Sequence, residues 1–145
     1  MTDWETSELD DLITGFAKAG PKTEALTRVV VAKTAFDTVA GAQGRVPVDT
    51  GNLKNSIGQD IDDDGLGFEA GPTANYGAAV EYGAAPHVIK ARNAKALFWP
   101  DAEHPVKKVN HPGNAPQPYM RPAFEQAIKP LDQVMGQVGK KVIVE

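Results

Sequence analysis

The chain has 145 residues, 41% of them apolar and 23% charged, with 14 glycines and 11 prolines. That is enough to bury one core without disulfides or a metal, and too little for a two-domain enzyme. With 15 Lys and Arg against 19 Asp and Glu, the net charge of -4 argues against tight sequence-independent binding to nucleic acid, and the absence of cysteine removes disulfides, thiolate metal sites and cysteine nucleophiles.

The N-terminus, Met1-Thr2-Asp3-Trp4-Glu5, is acidic where a secretory leader is basic, and no apolar run approaches the roughly 20 residues that span a bilayer. The expectation is a chain made in the cytoplasm. Ser7-Glu8-Leu9-Asp10 offers a helix cap, and Leu9, Leu12, Ile13, Phe16 and Ala17 follow at helical spacing until Gly20-Pro21 supplies a stop. A second, long helix is expected from Lys22 to about Gly44, with Leu26, Val29, Val30, Phe36, Val39 and Ala40 on its apolar side. Pro47-Val48-Asp49-Thr50-Gly51 reads as a loop in which Gly51 is free to take positive φ, and Leu53 and Ile57 would seat the next strand on the helix.

Ile57-Gln59-Ile61 and Leu66-Phe68-Ala70 alternate with period two around Asp62-Asp63-Asp64-Gly65, which predicts a hairpin with a solvated tip. Asn75–Gly83 fits a helix of two turns that gathers Tyr76, Ala79, Val80 and Gly83. Residues 86–111 differ from their surroundings. Short β-leaning pieces at Val88-Ile89, Leu97-Phe98-Trp99 and Val106 to Val109 are broken by Pro100 and Pro105, and Lys90, Arg92, Lys95, Lys107 and Lys108 outnumber Asp101 and Glu103. Pro112 to Pro118 predicts an extended path. A final helix takes Pro122 in its first turn, carries Phe124, Ala127, Ile128, Leu131, Val134, Met135 and Val138 on one stripe, kinks or breaks at Pro130, and frays at Gly136 and Gly139. Lys141-Val142-Ile143-Val144 is expected as an edge strand.

Chemistry is thinly represented. His87, His104 and His111 stand 17 and 7 residues apart, which fits no short ligand motif. Asp60-x-Asp62-x-Asp64-Gly65 resembles the opening of a calcium loop, but Gly71 stands where its closing glutamate belongs, so a solvated turn is expected. Ser7 and Ser56 lie in no nucleophile elbow, and Gly65-Leu66-Gly67 lacks the rest of a phosphate loop. Tyr76 and Tyr82 read first as core aromatics, whereas Leu97-Phe98-Trp99 serves equally as internal packing or as a partner contact.

Three segments in order carry a resemblance: Pro47-Val48-Asp49-Thr50-Gly51-Asn52-Leu53-Lys54-Asn55-Ser56-Ile57, Tyr76-Gly77-Ala78-Ala79-Val80-Glu81-Tyr82-Gly83, and Pro116-Gln117-Pro118-Tyr119-Met120-Arg121-Pro122-Ala123. Together they resemble the Hong Kong 97 gene-product-ten-like family of tailed bacteriophages, small virion proteins of the head-to-tail connector or tail-completion region. Family members often have Gly-Thr after the glutamate-aromatic pair, where this chain has Gly83-Ala84, and the insertion from Pro86 to Asn114 is longer than in minimal members.

The resemblance implies an α+β fold, with a long helix packed on a small, mainly antiparallel sheet, a C-terminal helix and an extended loop or β-arm insertion. The length fits one domain over 1–145, and the basic excursion makes 86–114 a candidate protruding arm or insertion within it. The resemblance also implies a non-enzymatic ring subunit of the phage neck or tail, in six copies or alternatively twelve, without cofactor, metal or membrane. Its partners would be neck or tail proteins such as a stopper, terminator or tail tube, with genomic DNA passing through a channel whose acidic wall repels it. Candidate interface residues are Glu81, Tyr82, Lys90, Arg92, Leu97, Phe98, Trp99, Lys107, Lys108, Tyr119 and Arg121, with Glu81 and Arg121 expected to pair within or between subunits. Competing expectations are a metal-dependent nuclease or hydrolase using His104 and His111, and a monomeric regulatory binding module.

Overall fold

The computed structural model describes the backbone of residues 6–144 and the side chains of residues 19–142. The expected acidic leader lies outside the described residues, as do the side chains of Ser7, Leu9, Leu12, Ile13, Phe16 and Ala17.

One helix, α1 (Thr6–Arg45), replaces the two predicted at the N-terminus and runs through Pro21. At 1.5 Å per residue it is about 60 Å long and forms the spine of the molecule. Gly20-Pro21 fails as a stop because a terminating glycine must turn to positive φ, and among the described residues only Gly51, Gly65, Gly83 and Gly113 do so. Pro21 removes one amide bond and crowds the preceding turn, but Lys22, Glu24, Ala25 and Leu26 beyond it are good helix formers.

The buried stripe of α1 also departs from expectation. Thr34, Ala35, Thr38, Ala42 and Val46 are buried, whereas Val29, Phe36 and Ala40 are exposed. Small side chains face inward because α4 (Met120–Ile128) lies close along this helix, with Ala123 and Ala127 buried. A Cβ added at Gly41 would come within 3.2 Å of the Ala123 Cβ. The threonines suit the stripe because each hydroxyl bonds back into the helix, Thr34 to the Val30 carbonyl at 2.9 Å and Thr38 to the Thr34 carbonyl at 2.8 Å.

After α1 the chain turns at Gly51 (φ +82°) into the five-residue helix α2 (Asn52–Ser56), a local element within a stretch predicted as loop and strand. Leu53 and Ile57 are buried as expected and join Ala42, Val46, Tyr119 and Ala123 in the core. β1 (Ile57–Ile61) and β2 (Phe68–Pro72) form the predicted antiparallel hairpin, with Ile57 opposite Pro72 and Ile61 opposite Phe68. Asp62, Asp63 and Asp64 are exposed at its tip, where the Asp64 carboxylate accepts from the Leu66 amide at 2.8 Å and Arg28 donates to the Asp64 carbonyl at 2.6 Å. The Phe68 and Phe124 rings, 6.3 Å apart, tie the hairpin to α4.

α3 (Gly77–Tyr82) follows, then a second, separate antiparallel pair, β3 (His87–Lys90) and β4 (Lys108–His111). Residues 112–119 run without helix into α4, which breaks at Lys129-Pro130, where a kink or break was expected, before α5 (Leu131–Val144). Gly136 and Gly139 lie within α5, and Lys141–Val144 is helical where an edge strand was expected. Among the described residues the strands pair only as β1 with β2 and β3 with β4, whereas α5 packs on α1 and buries Val138. The architecture is α+β: one long helix, two small antiparallel sheets and a C-terminal pair of helices.

Candidate functional site

Two of the three sequence segments close on each other. The last turn of α3 carries Glu81 inward, where it is 5% exposed, and its carboxylate accepts three amides at the start of α4. Oε2 takes the Tyr119 N–H at 2.7 Å and the Met120 N–H at 2.9 Å, and Oε1 takes the Arg121 N–H at 3.0 Å. A helix begins with amides that have no partner inside it and with a partial positive charge, so a buried carboxylate there meets both needs. Burial pushes the Glu81 carboxyl pKa up, but these three amide bonds, aided by the Arg121 charge, outweigh it and hold the group below its ordinary 4.5.

The reverse direction is also bonded. The unpaired carbonyls at the end of α3 are met from the other side: Asn114 Nδ2, just before the third segment, donates to the Ala79 carbonyl at 2.8 Å, and the Gln117 N–H within that segment donates to the Val80 carbonyl at 2.8 Å. Tyr119, fully buried, donates its hydroxyl to the Gly77 carbonyl at 3.2 Å. Burial, and then the Glu81 charge, raise its phenol above the ordinary 10.0. Each helix end thus supplies what the other lacks, and the two segments form a clasp. The first segment joins it along a groove of about 460 Å³ lined by Pro47 to Leu53, Tyr76, Val80, Asn114 and Gln117. There Asn52 Nδ2 donates to the Tyr76 hydroxyl at 3.0 Å.

The expected Glu81–Arg121 side-chain pair does not form within the chain. Glu81 meets Arg121 through the main chain, and the Arg121 guanidinium turns outward to Glu125 at 2.9 Å. The carboxylate is buried against the amides of the helix start, whereas the guanidinium stays in solvent with Glu125. Tyr82, read first as a core aromatic, is 74% exposed, and Tyr76 is also exposed.

From the clasp rises the insertion. Its two roots are bonded to each other, the Ala84 N–H to the Asn114 carbonyl at 3.0 Å and the Asn114 N–H to the Ala84 carbonyl at 2.9 Å. Gly113, at φ +81°, passes so close to Ala84 that any side chain there would collide with its carbonyl oxygen. Above the roots the β3–β4 pair carries Lys90 and Lys108, Arg92 lies just beyond β3 and Lys107 just before β4, and Leu97 pairs with Val106 near the tip. All four residues of β3 are exposed, and Phe98 and Trp99 are 66% and 40% exposed. Among the described residues the hairpin packs extensively on no other element. Leu97 is half-buried beside Val106, and Phe98 and Trp99 are left exposed.

Glu81 and Tyr119, both interface candidates by sequence, are buried in the clasp. Tyr82, Lys90, Arg92, Phe98, Trp99, Lys107, Lys108 and Arg121 are on the surface, and Leu97 is half-buried in the arm. Asn114, Gln117 and Gly113 were missed: a helix-end carbonyl 35 residues away leaves no local signal at an asparagine. The histidines do not group as the nuclease expectation requires. His111 stacks on His87 across the β3–β4 pair, ring centroids 5.0 Å apart, and among the described residues no three His, Cys, Asp or Glu side chains are placed to hold a metal. Among them too, no helix is long and apolar enough to cross a membrane.

A protein-family model matches residues 10–83, half of the chain; its description is "Bacteriophage HK97-gp10, putative tail-component". The chain belongs to this family. The match takes in most of α1, α2, the first hairpin and α3, and ends at Gly83 where the arm begins. The first two sequence segments thus lie inside the HK97-gp10-like match, and the third lies beyond it. No curated protein and no solved structure gives a significant match. Membership in the HK97-gp10-like family makes the chain a structural tail component of a bacteriophage.

Proposed function

We propose that this HK97-gp10-like protein is a non-enzymatic ring subunit at the phage neck or the top of the tail. It works by joining copies of itself side by side, six in the simplest arrangement and twelve in the alternative. The observation that carries this reading is the arm: a basic β-hairpin with exposed Phe98 and Trp99, held at its roots by a buried clasp and in extensive contact with no other element among the described residues. An isolated two-stranded hairpin is marginal in water. A chain that holds one rigidly at the base while leaving its apolar tip bare is built for a surface supplied by another molecule. A closed ring needs such a head-to-tail contact, with different surfaces on the two sides of each subunit.

Neighbouring neck or tail proteins, such as a stopper, terminator or tail tube, would contact the faces of the ring, and genomic DNA would pass its acidic wall without specific binding. The test is to shorten the arm. Lys90 and Lys108 are cross-strand partners, so replacing residues 91–107 by Asn-Gly closes a tight hairpin and leaves the body intact. The shortened protein is expected to fold but to be missing from purified particles. Wild-type incorporation of the folded, shortened protein refutes the arm as the joining element, and tight DNA binding by the wild-type protein at low salt contradicts the repelling wall.

A further inference from the structure

The two hairpins of this molecule carry opposite charge patterns at matching positions. On β1–β2, Asp60 stands directly opposite Glu69, and on β3–β4, Lys90 stands directly opposite Lys108. All four side chains are exposed. Like charges in cross-strand register share one face of the sheet and destabilise the hairpin that holds them. Among the described residues none of the four takes part in an ion pair. Neither hairpin relieves the other within the chain, because the two make no extensive contact with each other.

The same faces match in shape. Two residues along from the acidic pair, on the same side of the sheet, Gly58 lies opposite Gly71, and a Cβ added at either would meet nothing within 4 Å. Two residues along from the lysine pair, Val88 lies opposite Asn110, both exposed. One face is therefore an acidic pair beside a bare backbone shelf, and the other a basic pair beside a raised Val88-Asn110 pair. Both intervals are about 6.8 Å, two residues of strand.

We infer that the Lys90/Lys108 face of the arm docks on the Asp60/Glu69 face of the next copy of this chain, with Val88 and Asn110 seated over Gly58 and Gly71. Each subunit then offers its arm on one side and its acidic shelf on the other, the unlike pair of surfaces that a closed ring uses. The inference rests on the ring reading above and names its contact. It explains why each hairpin tolerates a like-charged pair: the neighbour supplies the opposite charges.

The test uses full-length protein supplied from a plasmid to a phage lacking its own copy, with the amount in purified particles as the readout. Two double variants reverse one face each, Lys90→Glu with Lys108→Glu, and Asp60→Lys with Glu69→Lys. Each keeps a like-charged pair on its hairpin, so the internal cost is unchanged, and circular dichroism checks the fold. Each alone is expected to lower incorporation at least about tenfold, since both its surfaces now carry the same sign. The quadruple variant is expected to regain it, as is co-expression of the two double variants, whose copies alternate around an even-numbered ring.

Wild-type incorporation of either folded double variant overturns the contact, and so does a folded quadruple variant that stays as low as its parents. Where a reversal fails to fold, the neutral pairs Lys90→Gln with Lys108→Gln and Asp60→Asn with Glu69→Gln carry the test: reduced incorporation supports the contact and wild-type incorporation overturns it. If the wild-type protein itself is missing from particles, the ring reading falls before any charge is changed.

Discussion

Glu81→Ala is the most direct perturbation of the clasp, and its cost follows from the fate of three amides. The Tyr119 N–H is buried, so water cannot replace the lost carboxylate, and an orphaned buried donor costs about 1–3 kcal/mol. The Met120 and Arg121 amides are only partly buried and recover some bonding from solvent. Losing a helix cap adds about 1 kcal/mol. The expected destabilisation is therefore about 3 kcal/mol at neutral pH, read as a shift of the urea midpoint with an unchanged slope.

Glu81→Gln keeps the volume and one oxygen, which still accepts from Tyr119 and Met120, but turns an NH₂ group toward the Arg121 N–H, for about 1–2 kcal/mol. The pH dependence separates charge from shape. Burial raises the Glu81 pKa and the three amides more than reverse this, so the folded value lies below 4.5. A depressed folded pKa contributes stability that is present above the unfolded value and lost as pH falls through the folded one. The gap between wild type and Glu81→Gln should be flat near neutrality and close in acid below about 4.5. A gap under about 0.5 kcal/mol at neutral pH, or one that widens in acid, would refute the clasp as described.

Gly113→Ala should destabilise by more than about 2 kcal/mol and expose the arm roots to limited proteolysis, because the left-handed backbone alone costs about 1–2 kcal/mol and the new Cβ meets the Ala84 carbonyl oxygen. Gly136→Ala, in the helical interior of α5 with open space around it, should instead stabilise by about 0.5–1 kcal/mol in the same urea titration. Tyr119→Phe should cost about 1 kcal/mol for the lost bond to Gly77. Because burial and the Glu81 charge raise the folded phenol above 10.0, wild-type stability should fall as pH climbs past that value, and Tyr119→Phe should escape that fall. Equal alkaline sensitivity in the two proteins would count against this.

What sequence periodicity reveals is local. The hairpin around Asp62–Gly65, the break at Pro130, the turn at Gly51 and the β-leaning pieces of the arm were all legible, because turn chemistry and period-two alternation act over a few residues. The errors come from packing. Gly20-Pro21 looks terminal until the whole of α1 is seen as one spine, and Val29 and Phe36 look like core until α4 approaches closely enough to favour Thr34, Ala35, Thr38 and Ala42 instead. Glu81 illustrates the limit at the site itself. Opposite charge suggested Arg121 as its partner, and the right segment was thereby found, but the bond goes to the backbone of a helix start 38–40 residues away. Complementary side-chain charges can be read from a sequence, whereas an unpaired amide exists only once the helix has been placed.

The clasp and the arm have a mechanical relation that assigns different consequences to their residues. The Ala84–Asn114 ladder fixes the direction in which the arm leaves the body, and Asn114 also holds the end of α3, while Glu81 locks that helix to the start of α4. Loosening the clasp therefore reorients the arm as well as costing stability. The contact face proposed for the arm lies several residues beyond its roots, so a small rotation at Gly113 becomes a larger displacement at Lys90 and Lys108, and farther out still at Phe98 and Trp99. A ring closes only if every subunit repeats one angle. Buried residues of the clasp should consequently affect assembly at destabilisations too small to unfold the chain, whereas exposed arm residues should affect assembly while leaving the urea midpoint unmoved.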